Sequence, residues 1–178
     1  MRDKVALLII DVQKGLFERS TPIYRADELL DKIHTLVDRA HRAGIPVFYV
    51  QHANKTTLVK GSDAWQLHPG LRPTERDVVI HKRHGNAFEE TILEDDLKSR
   101  DIRSLVVTGL VTHGCVRATC IAAKELGYRV ILVRDGHSNF NRRAARLIAE
   151  WNRKLGEGVA ELKSADEIDF GASNVISR

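Results

Sequence analysis

Val106-Val107-Thr108-Gly109-Leu110-Val111-Thr112-His113-Gly114-Cys115-Val116-Arg117 is a short apolar run that ends in a Gly/Thr-rich turn and delivers a cysteine to the mouth of a helix. The helical pattern continues through Ala118, Thr119, Cys120, Ala122, Ala123 and Leu126 and stops at Gly127. With a further apolar run at Arg129–Val133, this reads as a βαβ unit of a parallel sheet. A thiol at that helix mouth meets oriented backbone N–H groups and the positive end of the helix dipole, which favour thiolate over thiol. A thiolate beside free N–H donors supplies a nucleophile and an oxyanion hole, the two parts of an acyl-transfer site.

The same alternation extends in both directions. Val5–Ile10 is an apolar run suited to a buried parallel strand. From about Ala26 to Ala43, Leu29, Leu30, Ile33, Leu36, Val37 and Ala40 repeat at helical spacing, closed by Gly44 and Pro46. Val47–Val50 and Asp77–His81 read as the next strands. Asn86 with Glu89 resembles a capping box opening a helix that carries Phe88, Leu93 and Leu97. Ala144–Leu155 is an amphipathic helix, and Val159–Leu162 is a sixth strand. The expected fold is a single α/β domain over residues 1–178, a three-layer α/β/α arrangement around a mostly parallel six-stranded open sheet. The polar segment Gln51–Glu75, with Gly61, Pro69, Gly70 and Pro73, is long for a connector and reads as a binding loop or lid.

Composition sets outer bounds. The chain has 178 residues, 43% hydrophobic and 29% charged, as in ordinary globular proteins. Its formal charge is +4, with Arg142, Arg143, Arg146, Arg153 and Lys154 concentrated in one late helix, which reads as a solvated basic face or a surface for self-association. No nucleic-acid module accompanies that charge, so nucleic-acid binding is not expected. Cys115 and Cys120 fall on different faces of one helix, which suits free thiols in the cytoplasm better than a disulfide. Val5–Ile10 is too short for a secretory leader or a membrane span, and neither is expected.

In open parallel sheets ligands bind beyond the carboxyl ends of the strands. Asp11 follows the first strand, Lys82 the third and Cys115 the fourth, with Asp135 after the fifth as a weaker candidate. Singly each has an ordinary explanation: Asp11 as a cap, Lys82 as a solvated strand-end cation, Cys115 as a small buried hydrophobe. Together they form one mechanism. A cysteine nucleophile needs a base for its proton and a cation for its charge, which Asp11 and Lys82 can provide.

The residues that carry this constellation also carry a resemblance. Leu7-Leu8-Ile9-Ile10-Asp11-Val12-Gln13, Lys82-Arg83-His84-Gly85-Asn86-Ala87-Phe88 with Thr91 and Leu93, and Val107-Thr108-Gly109 through Cys115-Val116-Arg117-Ala118-Thr119 stand in order, followed by Gly127-Tyr128 and Asp135-Gly136. Nearly the whole chain resembles the isochorismatase-like cysteine hydrolases, which include nicotinamidase, N-carbamoylsarcosine amidase, ureidoacrylate and biuret amidohydrolases, and streptothricin hydrolase. The resemblance implies a triad of Asp11, Lys82 and Cys115. It further implies a cis peptide at Leu110–Val111, an oxyanion hole from the N–H groups of Val111 and Cys115, a thioester intermediate, and a homo-oligomer. Cys115 favours the amidase branch over family members that cleave a vinyl ether, which lack the cysteine.

Nicotinamidases usually carry an Asp-x-His-x-x-His metal motif after the second strand. Here the stretch is Gln51-His52-Ala53-Asn54-Lys55, so neither a metal nor a cofactor is expected. His81 and His84 have a ligand-like spacing but no third partner. Phe17, Trp65, Asn86, Phe88 and His113 are expected to line a small-molecule pocket, with core packing the alternative for the two phenylalanines. Trp65, in a polar loop, reads as an exposed indole over a ligand or a second subunit. The expected activity is hydrolysis of a C–N bond in a small amide, ureide or lactam. The alternatives are a nicotinamidase, a catalytically weak scaffold or binding member of the family, and a thiol redox protein or esterase.

Overall fold

The computed structural model of the protein describes residues 4–171. Six strands form one sheet: β1 Lys4–Ile10, β2 Val47–His52, β3 Val78–Lys82, β4 Ile102–Leu110, β5 Arg129–Ser138 and β6 Glu161–Lys163. Their order is β3-β2-β1-β4-β5-β6, and every neighbouring pair is parallel. The helices are α1 Lys14–Phe17, α2 Ala26–Arg42, α3 Leu93–Ser99, α4 Arg117–Glu125 and α5 Ala144–Gly156.

The continuous apolar runs follow from burial on both faces. Along β1, Ala6, Leu8 and Ile10 point into one core with Leu93 and Leu97 of α3, Cys120 and Ala123 of α4, and Leu155 of α5. The alternate residues Leu7 and Ile9 enter the other core with Leu29, Ile33, Leu36 and Ala40 of α2. Each large aliphatic side chain so buried contributes about 1.5–3 kcal/mol. Winding reverses between β1 and β4, which makes their carboxyl ends the switch point of the sheet. No helix among the described residues is long and apolar enough to cross a membrane.

Several local expectations are corrected. The helix expected to open at Asn86 begins only at Leu93. Asn86 Oδ1 instead accepts from the Phe88 N–H at 2.9 Å in a local turn, and Glu90, at φ 53°, interrupts any helix there. The fifth strand continues past Val133 to Ser138, with a register shift against β4 between Val107 and Gly109. Asp135 therefore lies within β5, where it meets Lys32 Nζ at 3.3 Å and accepts from the Ala165 N–H at 2.7 Å. Arg142 and Arg143 precede α5 rather than belonging to it.

The long segment after β2 is packed, not loose. Leu58, Trp65 and Leu71 are buried in the α2-side core. Its backbone is stitched to the start of the chain by Lys14 N–H to Gln66 O, Gly15 N–H to Ala64 O and His68 N–H to Val12 O. Trp65 is only 9% exposed, so the expectation of an exposed indole fails.

Candidate active site

Asp11 follows β1 directly, with its backbone in the left-handed region at φ 52° and its N–H bonded to Val50 O at 2.9 Å. Lys82 is the last residue of β3, and its side chain is fully buried. β2 separates β3 from β1, so Lys82 must reach across a strand, which its long stem permits. Its ammonium lies 3.0 Å from Asp11 Oδ2 and 3.2 Å from Cys115 Sγ. Two further groups complete the shell, His52 Nδ1 and the His84 carbonyl, each at 3.0 Å.

Cys115 sits on a wide turn, Thr112–Val116, just ahead of α4. The chain just upstream is distinctive. Gly109 has φ +120°, and a Cβ there would run into the Ile10 backbone, so only glycine lets β4 come this close to β1. The Leu110–Val111 peptide is cis. The Val111 carbonyl then accepts from the N–H groups of Gly114 and Val116, closing the turn. Beneath it, Thr112 Oγ1 is 2.9 Å from His137 Nδ1, and His137 Nε2 is 2.9 Å from Asn152 Oδ1. This buried polar chain ties the turn to β5 and α5.

The electrostatics differ from the expectation of a ready thiolate. Burial pushes the Cys115 thiol up to about 12, the charge of Asp11 adds to the rise, and Lys82 opposes it. The turn half-buries the cysteine ahead of the first turn of α4, and this desolvation is the largest contribution to the rise. His52 is pushed down, first by burial and then by the Lys82 charge, which keeps its imidazole neutral.

Asp11, His52 and Cys115 offer ligand atoms within 4.8 Å of one another, the spacing of a metal site. All three, however, are hydrogen-bonded to one ammonium, at 3.0, 3.0 and 3.2 Å. Lys82 stands where a cation would stand, so these residues do not fit a metal. His81 and His84 do not converge either. His81 lies edge-on to Trp65 with ring centroids 4.9 Å apart, and His84 Nε2 pairs with Glu90 at 2.9 Å.

The expected pocket residues divide. His113 is half-buried on the cysteine turn, and its Nδ1 has no hydrogen-bond partner. Phe17 is half-buried against the His68 ring at 4.5 Å. Phe88 is stacked on Tyr128 at 5.8 Å in the core beside α4, and Trp65 belongs to the opposite core. Two site residues escaped the sequence reading. The pattern ends β2 at Val50 and leaves His52 in the loop; the strand continues through buried Gln51 to His52. Gln13, fully buried, clamps His52 by donating from Nε2 to its carbonyl at 3.0 Å and accepting from its N–H at 2.9 Å.

A doubly wound parallel sheet that gathers buried Asp11 and Lys82 with half-buried Cys115 at its switch point defines an α/β protein with a thiol-centred candidate site. The isochorismatase domain model matches residues 5–159, and the chain belongs to that family. It is 30% identical over 168 residues to a streptothricin hydrolase of Streptomyces noursei, covering 93% of this chain and 61% of that protein. The chain thus spans less than two thirds of that relative's length. An isochorismatase structure from Pseudomonas putida KT2440 superposes with a TM-score of 0.86 at 28% identity, covering 93% of this chain and 90% of its own. N-carbamoylsarcosine amidase from Thermoplasma acidophilum shares the fold, with a TM-score of 0.81 at 24% identity over 93% of this chain and 98% of its own.

Proposed function

We propose that the protein is a metal-independent cysteine amidohydrolase that cleaves a C–N bond in a small amide, ureide or lactam through a thioester on Cys115. The observation that carries this reading is the single buried ammonium of Lys82 shared by a carboxylate and a thiol. That arrangement lets negative charge pass from oxygen to sulfur without leaving the field of one cation. The similarity to a streptothricin hydrolase and the fold shared with N-carbamoylsarcosine amidase are in keeping with it.

Burial keeps the proton on sulfur until a carbonyl is in place. Asp11 then takes that proton while Sγ forms a bond to the carbonyl carbon, and the carbonyl π pair moves to oxygen. The N–H groups of Val111 and Cys115 are the proposed donors to this oxyanion. As the carbonyl re-forms, the C–N bond breaks and Asp11 returns the proton to the leaving nitrogen, releasing ammonia or an amine. Water, deprotonated by Asp11, adds to the thioester, and the C–S bond breaks. Asp11 gives its proton back to sulfur, regenerating the thiol and leaving an acid. A lactam follows the same steps but keeps its amine in the product.

His113 is the first proposed substrate contact, a reading supported by its position on the same turn as the sulfur and its unpartnered Nδ1, with Phe17 and Asn86 as further proposed wall residues. The experiment is acid quenching during turnover of a panel of small amides, ureides and lactams, followed by peptide mass spectrometry. The expected result is a hydroxylamine-labile acyl adduct on the Cys115 peptide. Turnover without any such adduct, and without a hydroxamate product when hydroxylamine is present during the reaction, would exclude the thioester route.

A further inference from the structure

An ammonium carries three N–H donors and no acceptor. Four groups nevertheless surround Lys82 Nζ: Asp11 Oδ2, His52 Nδ1 and the His84 carbonyl at 3.0 Å each, and Cys115 Sγ at 3.2 Å. Because the ammonium can only donate, His52 Nδ1 presents its lone pair, and the imidazole proton resides on Nε2. His52 and the His84 carbonyl are neutral acceptors. Asp11 and Cys115 are the two groups between which charge passes in the proposed reaction. The backbone that carries this imidazole is also held in place. Gln13 grips it from both sides, and Gln13 lies two residues beyond Asp11 in the sequence. One buried amide therefore ties the backbone of His52 to the segment that follows Asp11.

We propose that His52 is a positioning residue for this reaction: it holds one N–H of Lys82 and, with the His84 carbonyl, sets the ammonium so that its remaining N–H is shared by Asp11 and Cys115. The inference rests on the reading of Cys115 as the nucleophile. When the thiol proton moves to Asp11, the shared N–H turns from carboxylate to sulfur while the other two stay bonded. No proton leaves His52. Protonation of its ring would remove the lone pair and set a second cation against Lys82. The charged and titratable groups around it are Lys82, Asp11, the Cys115 thiol and His84, and burial with Lys82 favours the neutral ring.

Iodoacetamide labelling of Cys115, read by peptide mass spectrometry, tests this without any substrate, so its outcome is independent of whether the amidase reading holds. Loss of a hydrogen bond to a charged group predicts labelling about tenfold slower in His52→Ala and in the bulkier His52→Leu at neutral pH. His52→Asn, whose Oδ1 can stand where Nδ1 stands, is expected to label within about threefold of wild type, a neutral acceptor being retained. Wild-type labelling should also fall more steeply than the loss of thiolate alone as pH drops through the His52 titration, and His52→Asn should lack that extra steepening. With a turned-over substrate, the loss in His52→Leu should fall on kcat, with KM preserved. Two results overturn the proposal: equal labelling in all variants, or Asn as slow as Leu. Thermal melts of each variant identify a general loss of fold, and the Asn–Leu comparison decides between folded proteins.

Discussion

Lys82 acts on two neighbours at once, and its removal should expose both effects. Lys82→Ala leaves the Asp11 carboxylate buried without its cation, where Oδ1 already lacks a hydrogen-bond partner. Breaking a buried pair from one side costs about 3–5 kcal/mol, so a clear drop in Tm is expected. The same variant should alkylate Cys115 more slowly at neutral pH, because the group that lowers the thiol's pKa is gone. An unchanged alkylation profile would mean that Lys82 does not support the thiolate. The thiol also carries a stability signature. Its folded value, about 12, lies above the ordinary 9.0, so folding favours the protonated form. That contribution is complete below about pH 9 and is lost as pH rises towards 12. Cys120, likewise pushed up to about 12 by burial, behaves in the same way. Cys115→Ala should therefore show a shallower alkaline loss of stability than wild type in pH-dependent denaturant melts, and not its abolition.

At the scale of elements, legibility followed burial geometry. The parallel strands were readable because a strand covered on both faces must be apolar throughout, and Leu7-Leu8-Ile9-Ile10 is such a run. α2 was readable from the repeat of Leu29, Ile33, Leu36 and Ala40. The end of β2 is not, because Gln51 and His52 look like loop residues, and pairing with His81 and Lys82 of β3, backed by the bonds to Gln13 and Trp65, makes them strand. His52 was lost to the site for that reason. The segment carrying Trp65 misled in the opposite sense. Its many polar residues face solvent while a few apolar anchors and the hydrogen bonds to α1 hold it against the sheet. Trp65→Ala should cost about 3–5 kcal/mol by the cavity it leaves, seen as a lower denaturation midpoint. A change within experimental error would show the segment to be loosely held. Gly109→Ala should be at least as damaging, because its Cβ meets Ile10 backbone that has no room to move and the residue needs φ +120°. A near-neutral Tm for that variant would contradict the close β1–β4 approach that brings Asp11 towards the cysteine turn.

For the whole molecule, the expectation of a parallel sheet, with ligands beyond the carboxyl ends of its strands, pointed to Asp11, Lys82 and Cys115. Asp11 and Cys115 leave the two strands that flank the switch point, and Lys82 leaves the edge strand β3. What sequence alone misjudged was the charge state at rest, since desolvation depends on the packing of both cores around the cysteine turn. The same packing fills the would-be metal position with an ammonium, so treatment with chelators should leave turnover unchanged. Loss of activity restored by zinc would reverse that conclusion. The account depends most directly on Cys115 as the nucleophile of C–N hydrolysis. The decisive measurement is ammonia release from the panel of small amides and ureides, run in parallel with wild type and Cys115→Ala and with a melt to show the variant is folded. Release by wild type from at least one compound, abolished in Cys115→Ala, is the predicted result. Equal release by the folded variant would contradict it.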